Sequence, residues 1–165
     1  MKWSTPVLEG GYRYVLPCQT SHQEKELAVI QINPSLANRR RSDPTVGKVK
    51  KWAEEKNYGV VYFLNFFAIV SPKQEKIENL GFGLLVGPKN DAFIAGIPIS
   101  SDVVIATGKP KGPLAIYYEK RKIEIISILH GRRLFHVGDL TKGGFPRHGR
   151  MWNLSNRDLR ELEWK

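Results

Sequence analysis

The sequence predicts an α/β protein in which helices cover a mainly parallel sheet, and three observations support this prediction. Short apolar runs rich in β-branched and aromatic residues alternate along the chain with longer segments of helical periodicity. The apolar runs are nearly continuous, which is typical of strands that are covered on both faces. A length of 165 residues with 41% hydrophobic residues fits a single domain, residues 1–165, with a substantial core.

Five segments are predicted as strands. Residues 12–16, near the N-terminus of the chain, are expected to add an antiparallel edge strand to the sheet. The other four strands are expected to run parallel to one another, and they cover residues 27–33 (LAVIQIN), 60–67 (VVYFLNFF), 102–107 (DVVIAT) and 134–137 (LFHV). Three of these four runs end directly before a proline or a glycine, which are the strongest local signals of a turn.

Three segments between these strands are predicted as helices. The first begins at Asp43, a favourable N-cap, with Pro44 at the first helical position, and it ends before Gly59. The second and third cover residues 88–97 and 113–129. Right-handed crossovers bring the carboxyl ends of parallel strands to one edge of the sheet, where ligands bind in proteins of this class. Polar residues at the strand ends are therefore the candidates for a functional site.

The charge of the chain favours a polyanionic partner. Lys and Arg total 26 against 16 Asp and Glu, which gives a net charge of +10 and a pI near 9.8. An excess of this kind raises affinity for nucleic acid, although it also serves solubility alone. We expect nucleic acid, DNA ahead of RNA, or a nucleotide as the partner.

Several classes of site are disfavoured by the residues present. The single cysteine, Cys18, excludes an internal disulfide and a multi-cysteine zinc site, and the four histidines show no metal-ligand spacing. The chain contains no G-x-S-x-G, G-x-G-x-x-G, H-E-x-x-H or C-x-x-C motif. The longest apolar run, Val60 to Val70, is about half a membrane span, and the start of the sequence, MKWSTPVLEGG, has no apolar region typical of a secretory signal. We therefore expect a cytoplasmic protein without metal or other cofactor.

Two asparagines at predicted strand ends are candidate site residues. Asn33, followed by Pro34 and Ser35, closes the first parallel strand and has the chemistry to orient a water or to bind a base edge. Asn65 lies within an apolar run, and its amide offers a donor beside an acceptor, which matches a nucleobase. Each has a structural alternative, since Asn33 is suited to capping its loop and Asn65 to bonding a neighbouring loop.

Arginines at the start of the first helix are candidate phosphate ligands. Arg39, Arg40 and Arg41 precede the helix start, where free N–H groups also attract anions. The alternative is a solvated basic face without a ligand.

A loop histidine follows the last parallel strand. His148 is a candidate proton donor or stabiliser of a leaving anion, and the neighbouring Arg147 and Arg150 are candidate phosphate ligands. The alternative is an exposed loop histidine without function.

Taken together, these segments resemble a family of bacterial, archaeal and phage proteins catalogued as domain of unknown function 1643. The resemblance follows the chain in order through Tyr12-Arg13-Tyr14, Asn33-Pro34-Ser35-Leu36-Ala37, Asp43-Pro44-Thr45, Asn65-Phe66-Phe67-Ala68, Gly87-Pro88-Lys89-Asn90-Asp91 and Thr141-Lys142-Gly143-Gly144-Phe145-Pro146-Arg147-His148. The family pattern continues with Pro-Leu-Tyr-Leu, where this chain has Gly149-Arg150-Met151-Trp152. This family has no established activity.

A more distant resemblance is to the uracil-DNA glycosylase superfamily. Ile32-Asn33-Pro34-Ser35-Leu36 is similar to the Asn-Pro-Gly motif of the mismatch-specific branch, although Ser35 replaces its glycine. Leu64-Asn65 resembles the position that reads the uracil edge, and Arg147-His148 resembles the His-Pro-Ser loop. The resemblance implies a three-layer α/β sandwich with a central four-stranded parallel sheet of order 2-1-3-4.

The same resemblance implies a mechanism of base excision. A flipped base would bond to Asn65 and stack on Phe66 or Phe67, beside Pro34 and Ser35. Asn33 would hold the attacking water, and His148 would stabilise the departing base. The predicted function is nucleic-acid binding or processing, including hydrolysis of the N-glycosidic bond of a damaged or modified base. A non-catalytic binding module and an enzyme of free nucleotides or nucleosides remain the alternatives, so enzymatic activity stays open.

Overall fold

A mixed β-sheet forms the centre of the protein, as seen in a computed structural model that describes residues 1–34, 43–70, 79–153 and 157–164. In these ranges the sheet has seven strands in the order β1-β2-β4-β3-β5-β6-β7. The strands are β1 (Val7–Glu9), β2 (Tyr12–Gln19), β3 (Glu26–Gln31), β4 (Val60–Asn65), β5 (Asp102–Ile105), β6 (Leu134–Val137) and β7 (Leu159–Glu161). The predicted α/β class is confirmed.

Parallel pairing brings several strand ends to one edge of the sheet. Strand β3 pairs in parallel with β4 and with β5, and β5 pairs in parallel with β6. The register places Gln31, the last residue of β3, beside Asn65, the last residue of β4. We call this side of the sheet the carboxyl edge, and it includes the loops that follow β3, β4, β5 and β6.

The sheet contains more antiparallel strands than the sequence predicted. The predicted edge strand is part of β2, which pairs antiparallel with β4 but is not outermost, because β1 pairs with its other side. Gly10 and Gly11 join these two strands with φ values of 58° and 85°. Two consecutive positive φ angles give the twist that a two-residue hairpin needs, so the chain folds back. At the other side, β7 pairs antiparallel with β6.

The helices follow the predicted order with one addition. They are α1 (Pro44–Glu55), α2 (Phe82–Val86), α3 (Asn90–Ala95) and α4 (Pro113–Ile128), and a 3-10 turn covers Gly149–Met151. The predicted start of α1 is confirmed, since Asp43 Oδ1 accepts a hydrogen bond from Thr45 N at 2.8 Å. The second predicted helix, now α3, is shorter than expected, and α2 precedes it across Gly87, whose φ of 92° interrupts the helical backbone.

Helices cover both faces of the sheet, which explains the continuous apolar character of the strands. Ala28 and Ile30 of β3 belong to one core cluster with residues of α2, α3 and α4. Leu27 and Val29 point to the other face, in a cluster with residues of α1. Each central strand is therefore buried on both sides. Among the helices in the described ranges, none has the length and apolar character that a membrane span requires.

Candidate functional site

The carboxyl edge carries most of the candidate residues that the structure describes. Asn33 is half-buried and Pro34 is buried in the loop directly after β3, and Asn65 ends the adjacent β4. His148 lies in the long loop after β6. The candidates Ser35, Arg39, Arg40 and Arg41 lie outside the described residues.

Asn65 is fully buried and is bonded to the loop after β3. With its amide oriented so that its hydrogen bonds are satisfied, the side-chain nitrogen donates to Asn33 O at 3.1 Å. The backbone repeats this link one residue later, since Phe66 N donates to Gln31 O at 2.8 Å. The side chain of Asn65 thus holds the two loops together, which is the structural alternative to reading a base.

The two phenylalanines after Asn65 belong to the core. Phe66 and Phe67 are both 0% exposed. The ring of Phe66 stacks on Tyr118 with a centroid distance of 5.5 Å, and Phe67 meets the edge of Phe82 at 6.3 Å. Neither ring presents a free face to a base in this conformation.

Two buried polar side chains donate hydrogen bonds to the backbone of the turn that follows β4. Asn90 Nδ2 donates to Asn65 O at 2.9 Å and to Phe66 O at 3.1 Å. Arg121 is 0% exposed, and its Nε donates to Phe66 O at 2.8 Å. Its two other nitrogens lie 2.7 Å from Asp91 Oδ1 and 2.8 Å from Glu124 Oε2. The turn after β4 is therefore a rigid part of the edge.

A glycine at the end of β5 sets the position of His148. Gly108 N donates to Pro146 O at 2.8 Å, which draws the loop after β6 back over β5. Gly108 has a φ of +63°, and a Cβ at this position would lie 3.1 Å from His148 Cβ. The next residue, Gly149, packs on α1, where a Cβ would lie 2.5 Å from Val49 Cγ2. His148 is thus held between β5 and α1.

The environment of His148 favours a neutral ring with one defined tautomer. Burial lowers the pKa of His148 and the charge of Arg150 lowers it further, against an opposing effect of Asp43. Arg150 N donates to Nδ1 at 3.2 Å, so Nδ1 is an acceptor and the proton of the neutral ring resides on Nε2. No described residue forms a hydrogen bond with Nε2.

The two arginines beside His148 differ in their contacts. Arg147 is partly exposed, and its Nε donates to Asp139 O at 2.6 Å within the same loop. The side chain of Arg150 is exposed, while its backbone oxygen accepts a hydrogen bond from Lys48 Nζ at 3.0 Å. Arg150 is thus the more accessible to an anion.

Arg13 is a buried residue at this edge that the sequence did not mark as a candidate. It belongs to β2 where that strand meets the end of β4, since Arg13 N donates to Ala68 O at 2.9 Å. The side chain is 7% exposed, and burial lowers its pKa against the opposing charge of Asp43. Asp43 therefore acts on both Arg13 and His148. The available signal was an arginine inside the otherwise apolar Tyr12-Arg13-Tyr14 strand.

Thr107 and Tyr118 form a second polar contact that the sequence did not predict, with Thr107 Oγ1 3.1 Å from Tyr118 Oη. Burial raises the pKa of Tyr118 to about 12, so its hydroxyl stays protonated.

Within the described ranges, no group of three or more His, Cys, Asp or Glu side chains is arranged to hold a metal ion.

Comparison with known proteins gives one match. Residues 13–149 match the model of a family described as "Protein of unknown function (DUF1643)". No curated protein and no solved structure matches the chain significantly. The matched residues begin at Arg13 and end at Gly149, so they span the strands and loops of the carboxyl edge.

Proposed function

Because the chain belongs to the DUF1643 family of proteins of unknown function, we propose a function from the site itself, namely binding of nucleic acid or a nucleotide at the carboxyl edge. The observation that carries this proposal is a group of cations at this edge that have no ion pair in the described part of the chain. The net charge of +10 gives the whole molecule the sign that attracts such a ligand.

The unpaired cations lie in the loops after β5 and β6. These loops, residues 106–112 and 138–150, contain five cationic residues and one acidic residue, Asp139. Asp139 forms an ion pair with Arg160 of β7 at 2.7 Å. Four of these cations have exposed side chains that form no ion pair with any described residue, namely Lys109, Lys111, Lys142 and Arg150.

Three cations at the opposite edge of the sheet are engaged within the protein. Lys25 pairs with Asp102 at 3.0 Å, and Arg133 pairs with Glu161 at 3.0 Å. Arg132 donates to three backbone oxygens, those of Ile97, Pro98 and Ser101. At the opposite edge these three side chains already have partners, whereas Lys56, which follows α1, is exposed and forms no ion pair with any described residue. The cations without a partner are thus more numerous in the loops of the carboxyl edge, where they can meet phosphates.

The test compares two triple variants in fluorescence anisotropy with a labelled single-stranded oligonucleotide and its duplex over a range of salt. The first triple variant combines Lys109→Gln, Lys111→Gln and Lys142→Gln. It is expected to weaken binding and to reduce the slope of log affinity against log salt concentration by about 0.7–0.9 for each lysine–phosphate pair removed. The second triple variant is the control and combines Lys25→Gln, Lys56→Gln and Arg133→Gln, which removes the same charge from the opposite edge. Equal effects of the two triples would mean that net charge alone matters and would refute this site.

A second candidate function is hydrolysis of an N-glycosidic bond, in the manner of the uracil-DNA glycosylase superfamily. The neutral Nε2–H of His148, at the same edge as Asn33, favours it. Asn33 would hold a water whose oxygen adds to C1′ of the sugar while the C1′–N bond breaks. The electron pair of that bond leaves with the base, and His148 Nε2–H hydrogen-bonds the resulting anion. The attacking water releases one proton as its oxygen bonds to C1′, and the departed base takes up a proton in its place, so the products are the free base and the sugar with a 1′-hydroxyl. Since Asn65 is bonded to Asn33 O, other groups at the edge would recognise the base.

Base release from oligonucleotides that contain uracil, hypoxanthine or alkylated bases tests this candidate. Asn33→Ala is expected to abolish release while retaining binding. Lack of release from every substrate would reject the hydrolase and leave the binding function standing. Thermal-shift measurements with mononucleotides, nucleosides and oligonucleotides distinguish a nucleic-acid ligand from a free nucleotide.

A further inference from the structure

The guanidinium of Arg13 has one side without partners. It is 7% exposed, and neither its Nε nor its Nη2 has a hydrogen-bond partner among the residues that the structure describes. Arg121, another buried arginine, instead has contacts at Nε and at both terminal nitrogens. The contrast makes Arg13 the exception of the two, because a buried cation normally meets an anion or a set of acceptors.

The two unpartnered atoms of Arg13 form a single binding edge. In a planar guanidinium, Nε–H and one Nη2–H point in parallel directions from the same side. This pair is a fork that binds two oxygens of a phosphate or carboxylate at once. Arg13 therefore holds a complete bidentate edge, whose two nitrogens are buried in this conformation and must become accessible when a ligand binds.

The surroundings of Arg13 contain a second cation on α1. Burial raises the pKa of the Cys18 thiol, and the nearby charges of Lys50 and Arg13 oppose this rise. Lys50 forms no ion pair within the described ranges. Asp43 is the carboxylate whose charge acts on Arg13, and its Oδ1 accepts the hydrogen bond of Thr45 N. Residues 35–42, which lead into Asp43, include no Asp or Glu.

We propose that Arg13 binds a phosphate group through its Nε and Nη2 edge, in a subsite between the start of β2 and the start of α1. The identity of the ligand rests on the proposed function, so the phosphate belongs to the nucleotide or nucleic acid bound at the carboxyl edge. This subsite fixes one phosphate in position and orientation, whereas the exposed lysines act as point charges.

The direct test observes the Arg Nε–H resonances of the full chain by ¹H–¹⁵N NMR. Inorganic phosphate, AMP, adenosine and acetate are added in separate titrations. The Arg13 Nε–H signal is expected to shift saturably with phosphate and with AMP, and not with adenosine. Absence of a saturable shift with phosphate and AMP would overturn the subsite. A larger shift with acetate than with phosphate would overturn its assignment to phosphate.

Variants give an independent readout of the same subsite. Arg13→Lys keeps the charge and removes the fork, so affinity for AMP is expected to fall about tenfold or more, by analogy with other bidentate arginine contacts. Arg133→Lys, at the opposite edge, is the matched control and is expected to bind as the wild type does. If Arg13→Lys fails to fold by circular dichroism, the titration of the wild-type chain decides alone.

The outcomes separate this subsite from the proposed function. If oligonucleotides bind folded Arg13→Lys as tightly as the wild type, the subsite is refuted and the function stands. If phosphate shifts the Arg13 signal while no oligonucleotide or nucleotide binds, the subsite stands and the function is refuted.

Discussion

Replacement of Gly108 by alanine tests the contact that positions His148. A residue with a side chain at a φ of +63° costs roughly 1–2 kcal/mol of stability. The added Cβ would also lie 3.1 Å from His148 Cβ, closer than the separation of about 3.5–4.0 Å at which carbon atoms attract each other. Overpacking of this kind typically costs about 1–3 kcal/mol. We expect Gly108→Ala to lower the free energy of unfolding by about 2–5 kcal/mol and to displace His148.

The matched control is Gly131→Ala. Gly131 has a φ of +82°, and a Cβ at this position would have no other atom within 4 Å, so alanine there incurs the backbone cost alone. Urea unfolding of both variants isolates the contact with His148, and the Hε1 chemical shift of His148 reports its displacement. Equal decreases of stability in the two variants, with an unchanged His148 shift, would refute the proposed packing of His148 on β5.

Two further predictions concern buried polar groups. Burial lowers the pKa of His136 and of His148, so the unfolded chain binds protons more readily, and the free energy of unfolding should fall as the pH drops below about 6.5. Urea unfolding at pH 8 and pH 5.5 measures this loss of stability. His136→Gln and His148→Gln should each lose less stability between the two pH values than the wild type does. If both variants lose as much as the wild type, the prediction is wrong. Asn65→Ala removes the donor to Asn33 O and should cost about 1–3 kcal/mol in urea unfolding, whereas a cost no larger than that of the exposed control Asn153→Ala would contradict the bond.

The central strands and the start of α1 were predictable because their signals are local. Four apolar runs, three of them followed directly by a proline or glycine, located β3 to β6, and Asp43 with Pro44 located the helix start. The three-residue strands β1 and β7 were not predicted, because each exists only through pairing with a neighbour. The Gly10-Gly11 pair was a usable signal for β1, since such pairs favour a two-residue hairpin.

The candidate site was predictable in its place and less so in its contacts. Asn33 and His148 follow strands, and the topology of parallel sheets brings such loops to one edge. The partner of Asn65 was not predictable, because Asn33 O reaches it only through the parallel register of β3 with β4. The burial of Arg13 likewise depends on tertiary packing, which no local pattern reports.

The packing of Gly149 on Val49 has a consequence for how this family varies. A Cβ at position 149 would lie 2.5 Å from Val49 Cγ2 and 3.2 Å from Thr45 Cγ2, so a larger residue at position 149 requires a change in the helix that faces it. In relatives that carry a larger residue at the position of Gly149, we expect a smaller residue at the position of Val49. Positions 49 and 149 should covary across the family, although Val49 lies on the buried face of α1 and Gly149 lies beside the loop histidine.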